Sequence, residues 1–173
     1  MMQRPNYVAR DVSDSVGLLI SILVRYPEVA TIYYDPKAET MKFTFIYNPN
    51  DSLDSGAKCI QELQEHLVVY HKLEQKRVKV CELVEHAYQK VSMLEITRDI
   101  KSLSQDELAL IVSLVTESLG EALVSEDSEN LLEEDLQMQE EIIGHMLDSL
   151  QYNKQEKNLI AFREEGKVMV FNK

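Results

Sequence analysis

The chain has 173 residues, of which 45% are apolar and 28% are charged. This is the composition of an ordinary globular protein, long enough to bury a hydrophobic core without disulfide or metal support. Its formal charge of −12 argues against nucleic-acid binding, because contacts with a phosphate backbone need clustered cations.

The sequence predicts no membrane segment and no secretion signal. The apolar run at residues 17–24 is much shorter than the roughly 20 residues of a membrane span. Cys59 and Cys81 are too few for a disulfide framework, and both are predicted as buried thiols within helices. We therefore expect a cytoplasmic protein without membrane association.

The first predicted element is an amphipathic helix. Asp11 or Ser13 is the predicted N-cap, and Pro27 ends the helix. A β-hairpin follows, with strands at 29–34 and 41–47 around a turn at 35–40. The second strand alternates, so one of its faces should be apolar and covered; that face carries Met41, Phe43, Phe45 and Tyr47.

Residues 57–91 have apolar positions at helical spacing. One unbroken helix of this length would measure about 50 Å, whereas a compact domain of this size is only about 40 Å across. Either the helix breaks near residues 75–79, or it projects and pairs with another chain. The second alternative predicts a homodimer. A short strand is predicted at 93–100.

The C-terminal part contains two further helices and a hairpin. Ser104 and Glu107 have the spacing of a capping box, which predicts a helix from 104 to about 123. Apolar residues between 132 and 150 mark a second amphipathic helix. The chain closes with strands at 158–162 and 167–171, turning at Gly166.

The two ends of the chain share a plan of helix, short link and hairpin. Several apolar positions and a glycine recur at an offset of 127 residues, as in Val16–Gly17 and Ile143–Gly144. We predict an α+β fold, in which two β-hairpins form an antiparallel sheet packed by several amphipathic helices. The whole chain, 1–173, is predicted as a single domain, with sub-units 1–101 and 102–173 as the alternative.

Acidic residues are distributed very unevenly. Residues 102–151 carry 13 acidic and no basic side chains, while 13 basic and 14 acidic residues lie in 1–101. Such a field can steer association with a basic protein partner, although glutamate-rich helix faces also simply solvate a protein. The densest part, and the predicted partner-binding surface, consists of Glu133, Glu134, Asp135, Glu140 and Glu141.

Three histidines follow a glutamate at a distance of four residues. On a helix such a pair lies on one face and offers two ligands to a metal ion. The pairs are Glu62 with His66, Glu82 with His86, and Glu141 with His145. A metal-binding protein or metal-dependent enzyme is therefore the alternative to an interaction protein, and it requires the three pairs to converge.

The sequence contains no motif that specifies a reaction. The five glycines are isolated, so no phosphate-binding loop or dinucleotide fingerprint is present. No catalytic residue and no cofactor are predicted. The favoured hypothesis is a non-enzymatic interaction or regulatory module that binds a protein partner through its acidic amphipathic helices and associates with itself as a homodimer.

Overall fold

The computed structural model describes residues 3–49, 55–126, 132–152 and 157–172, with side chains from residue 14 onward. Within these ranges the elements are α1 (Gln3–Arg25), β1 (Thr31–Asp35), β2 (Thr40–Tyr47), α2 (Ser55–Leu73), β3 (Cys81–Ala87), β4 (Ser92–Asp99), α3 (Gln105–Leu119), α4 (Glu133–Tyr152), β5 (Leu159–Glu164) and β6 (Lys167–Asn172). A short 3-10 turn, Gly120–Ala122, follows α3.

The six strands form one antiparallel sheet in the order β3-β4-β2-β1-β5-β6. The fold is therefore α+β, as predicted, although it contains a third hairpin, β3–β4, that the sequence did not reveal. One row of apolar side chains crosses all six strands on the same face: Leu83, Ile96, Phe43, Ile32, Ala161 and Val170.

The helices pack on one face of the sheet, which we call the inner face. Helix α1 contacts β5 and β6, α2 contacts β3, and the pairs α1–α4 and α2–α3 pack together. The predicted apolar face of β2 points into this core, where Met41, Phe43 and Phe45 are fully buried. Side chains that alternate with these, such as Phe162 and Phe171, do not join the core.

The first and last hairpins are neighbours in the sheet. β1 pairs with β5, and Tyr33 lies opposite Ile160, the residue 127 positions later in the chain. Since α1 also packs against α4, the two ends of the chain contact each other through both their helices and their hairpins. The sheet therefore contains strands from both of the sub-units, 1–101 and 102–173, that were predicted as the alternative to a single domain.

Several predicted elements are confirmed. The first and last hairpins and the strand at 93–100 are present, and Gly166 adopts a positive φ of 78° in the last turn. Ser104 caps α3 by accepting a hydrogen bond from the Glu107 amide. The other half of the capping box differs, because the Glu107 carboxylate binds Arg98 instead of reaching back to Ser104.

Two predictions about helices are wrong. α1 begins at Gln3, so Asp11 and Ser13 lie within the helix and not at its start. Of the two alternatives for 57–91, the break near 75–79 is confirmed, because α2 ends at Leu73, but residues 81–87 form an edge strand and not a second helix. An overlong helix is not present in this part of the chain, so helix length gives no support for a homodimer.

Candidate functional site

The acidic residues predicted as a binding surface lie along α4. Glu133, Glu134 and Asp135 occupy its first turn and are exposed, as is Glu141 two turns later. In the first turn, negative side chains also offset the positive end of the helix dipole. None of these four carboxylates forms an ion pair with another described residue.

Glu140 has a different role from its acidic neighbours. Its carboxylate accepts hydrogen bonds from Nε of Arg25, at 2.9 Å, and from Nη2 of the same guanidinium. The Arg25 guanidinium also lies 4.6 Å from the centre of the Tyr26 ring. Glu140 therefore joins α4 to the end of α1, and its charge is already compensated within the protein.

Large apolar side chains are exposed among the acids of α4. Met138 is 60% exposed and Ile142 is 42% exposed. On a helix, Met138 lies on the same side as Glu134, Glu141 and Ile142, because these residues are three or four positions away. We call this set, together with Glu133 and Asp135, the α4 surface. It has an apolar centre and an acidic rim.

A groove of about 380 Å³ lies between α3 and the segment that follows α1. Val112 contributes to its floor, and Glu28, Glu117 and Arg25 line its sides. One carboxylate oxygen of Glu28 is buried and has no hydrogen-bond donor among the described residues. The groove reaches α4 only through the contact of Arg25 with Glu140, on the side of this helix away from Met138, and its acids outnumber its one cation.

A buried ionic cluster lies where α2, β4 and α3 meet. We call it the Arg98 cluster; its members are His71, Lys76, Arg98, Asp99 and Glu107. The Arg98 side chain is fully buried and donates to both oxygens of Glu107, which is also fully buried. It also donates to Asp99 Oδ1 at 2.6 Å and to the Val80 carbonyl at 2.8 Å.

Asp99 connects the cluster to the backbone. Its carboxylate accepts hydrogen bonds from the amides of Lys79, Val80 and Ser102 at 3.0–3.1 Å. Burial raises the pKa of Asp99, but the hydrogen bonds from Val80 and Ser102 and the charge of Arg98 outweigh it and lower this pKa to about 2. The cluster therefore holds charged groups that fix three chain segments.

Lys76, Ser104 and Tyr70 form a polar contact beside this cluster. Lys76 Nζ lies 2.8 Å from Ser104 Oγ, and Tyr70 OH lies 3.3 Å from the same oxygen. A nucleophilic serine needs a base that can accept its proton. Lys76 lies 3.5 Å from the Glu107 carboxylate, and Ser104 caps α3. The contact shown for Ser104 is therefore a structural one, the N-cap of α3.

Sequence reasoning did not identify the Arg98 cluster, although the sequence contains a signal for it. Leu94, Ile96 and Arg98 are each two residues apart along the strand, so their side chains point to the same face of the sheet. This places Arg98 on the buried face. A buried arginine requires a carboxylate partner. Glu107, nine residues later, is that partner.

The predicted metal ligands lie on three separate elements. On α2, His66 Nδ1 lies 2.7 Å from the backbone carbonyl oxygen of Glu62. Its contact is therefore with the backbone of Glu62 and not with the carboxylate. Glu82 and His86 lie on strand β3, so the helical premise is wrong for them, and His86 Nε2 is 2.8 Å from Glu95.

The third pair, Glu141 and His145, is exposed on α4. In the parts of the chain that the structure describes, no three His, Cys, Asp or Glu side chains form a group that could hold a metal ion. The convergence that the metal alternative requires is not seen among them.

The two cysteines are free thiols. Cys59 is buried on α2, as predicted, whereas the helical, buried prediction for Cys81 is wrong because this residue begins β3 and is exposed. Of the helices in the described ranges, none has the length and apolar character needed to cross a membrane. No protein-family model matches the chain, and no match is found among curated proteins.

Proposed function

We propose that this protein is a non-enzymatic interaction module that binds a basic protein partner through the α4 surface. The observation that carries the proposal is the arrangement of exposed Met138 and Ile142 among carboxylates that lack a cation in the described structure. An apolar centre with a polar rim is the usual anatomy of a protein–protein interface.

Electrostatics supports a basic partner and not an acidic one. Residues 102–151 carry 13 acidic side chains and no basic ones, so the field over α4 is negative. Such a field accelerates encounter with a positively charged surface and disfavours partners of like charge. The groove lined by Glu28 and Glu117 is a second acidic site, on the side of α4 that carries Glu140, and it offers space for a lysine or arginine side chain of the partner.

The proposal includes self-association as a homodimer, which is supported by the exposed apolar residues Met169 and Phe171 and no longer by helix length. It also includes a cytoplasmic location. The low number of cysteines, two, supports the location, because small secreted domains are commonly rich in disulfides. We do not favour a metal-dependent activity, since no observation in the described residues brings two Glu–His pairs together.

The test measures binding of a fluorescent amphipathic helical peptide built from arginine and leucine. The charge-reversed variant carries lysine at Glu133, Glu134 and Glu141. The matched control carries lysine at three exposed acids away from α4: Glu65, Glu74 and Glu165. Both variants change the net charge by the same amount. Comparing them therefore distinguishes an effect of the α4 site on peptide binding from an effect of the overall charge.

We expect the α4 variant to weaken peptide binding at least about tenfold, which corresponds to about 1.4 kcal/mol, while the control changes it little. Replacing Met138 and Ile142 by serine should also weaken binding, and it leaves the first-turn carboxylates untouched. Far-UV circular dichroism checks that helix content is retained. Equal weakening by the α4 variant and its control would contradict a site on α4.

A further inference from the structure

The face of the sheet opposite the helices, here called the outer face, carries an exposed apolar patch. Phe171 is 47% exposed and Met169 is 37% exposed. The Phe162 and Phe171 rings stack with their centres 5.6 Å apart. None of the patch residues belongs to the hydrophobic core; they are Tyr33, Ile160, Phe162, Met169 and Phe171.

Polar residues border this patch on the neighbouring strands. Lys42 Nζ lies 3.4 Å from Glu95 and 5.6 Å from the centre of the Tyr33 ring. Asn158 Nδ2 donates to the Tyr33 hydroxyl at 2.7 Å. Lys42, the charged residue nearest the patch, is therefore paired with Glu95 within the same face. A charged partner would find no unpaired charge in this pair to bind.

The outer face is large enough for a dimer interface. Six strands about 4.8 Å apart span about 24 Å, and strands of this length extend about 17–26 Å. The projected area is thus about 500 Å², and its accessible area is larger because side chains roughen the surface. A standard interface buries about 800 Å² of accessible surface per partner. Pairing of one edge strand would bury much less.

For contact between two copies of this chain, the charge distribution favours the outer face over the helical side. The chain carries a net charge of −12, so two copies repel each other wherever their acidic helices meet. α4 packs on α1 and α3, on the opposite side of the sheet. Contact through the outer faces keeps the two α4 surfaces on the far sides of the assembly, where repulsion is weakest.

We infer that two copies of this protein pack through their outer faces, with Phe162, Met169 and Phe171 in the apolar part of the contact. This inference rests on the self-association included in the proposed function, and it names the surface. Aligned packing of two sheets places them about 10 Å apart with interdigitated side chains. It covers the apolar patch and leaves both α4 surfaces free for partner binding.

The experiment measures molar mass by light scattering over concentrations from micromolar to near-millimolar. The variants are Phe171→Arg and Met169→Lys, both on the edge strand β6, where a charged side chain disturbs the fold least. Val69→Arg is the matched control, because Val69 is a 56% exposed apolar residue on α2. Circular dichroism identifies any variant that fails to fold. If Phe171→Arg does not fold, the molar mass of Met169→Lys decides the outcome.

We expect the wild type and Val69→Arg to form dimers, and the two β6 variants to weaken dimerisation at least about tenfold. A dimer that persists in both β6 variants would overturn the assignment to the outer face and leave self-association intact. A wild type that stays monomeric at every concentration would overturn both. The peptide assay reports separately on α4, since the β6 variants should bind the peptide as the wild type does.

Discussion

Arg98→Met is expected to destabilise the protein by about 3–5 kcal/mol, the usual cost of leaving a buried charge without its partner. Methionine fills the space of the aliphatic part of the arginine side chain but supplies none of the guanidinium hydrogen-bond donors. Glu107 would remain fully buried, with Lys76 at 3.5 Å and His71 at 3.0 Å as its nearest polar contacts. Domains of this kind have a free energy of unfolding of about 5–15 kcal/mol, so the loss is a large fraction of it.

Urea unfolding followed by far-UV circular dichroism at neutral pH measures this loss. Arg163→Met is the matched control, because Arg163 is also largely buried but donates to backbone carbonyls, including Val29 at 2.7 Å. It should cost about 1–3 kcal/mol. Adding Glu107→Gln to Arg98→Met removes the stranded charge and should restore part of the stability. The reasoning is refuted if Arg98→Met costs no more than Arg163→Met, or if Glu107→Gln restores nothing.

Two other predictions concern single residues. Because the pKa of Asp99 is lowered from 3.8 to about 2, its carboxylate contributes about 2 kcal/mol of stability above pH 4, which is lost as the pH falls towards 2. Unfolding measured across this range should show a flatter pH dependence for Asp99→Asn; parallel curves would contradict the assignment. Gly56→Ala places a Cβ on the Glu85 carboxylate and the Tyr47 hydroxyl and should cost about 1–3 kcal/mol. Gly144→Ala, whose Cβ would lie 3.7 Å from the nearest atom, should be neutral or stabilising, and equal thermal midpoints for the two variants would disprove the steric argument.

The hairpins that the sequence predicted are those with clear alternation and turn residues. β2 is central and packs against the helices, so its inner and outer residues differ strongly in character. β3 is an edge strand in which none of the seven residues is fully covered. Its apolar positions Leu83, Val84 and Ala87 therefore lack alternation and match helical spacing by coincidence. Only its pairing with β4, a tertiary interaction, decides its conformation.

The sequence showed which acids cluster but not which of them are paired. Glu140 is indistinguishable from Glu141 in the sequence, yet it binds Arg25, which lies 115 residues away. The outer face was also beyond sequence reasoning, because its patch combines residues from β1, β5 and β6. Whether a strand's second face is covered depends on where the helices pack, and local patterns do not encode that.

The pairing of β1 with β5 affects synthesis of the chain. When β1 leaves the ribosome, the strand that will cover its free edge is still about 125 residues away, a delay of roughly 6–25 s at ordinary elongation rates. Throughout this interval the unfinished sheet exposes backbone groups able to pair with other nascent chains. The acidic stretch from 102 to 151 emerges only in the later part of this interval, directly before β5. From that point each unfinished chain carries a strong negative charge, and the resulting mutual repulsion opposes pairing at the exposed edge until the last hairpin closes the sheet.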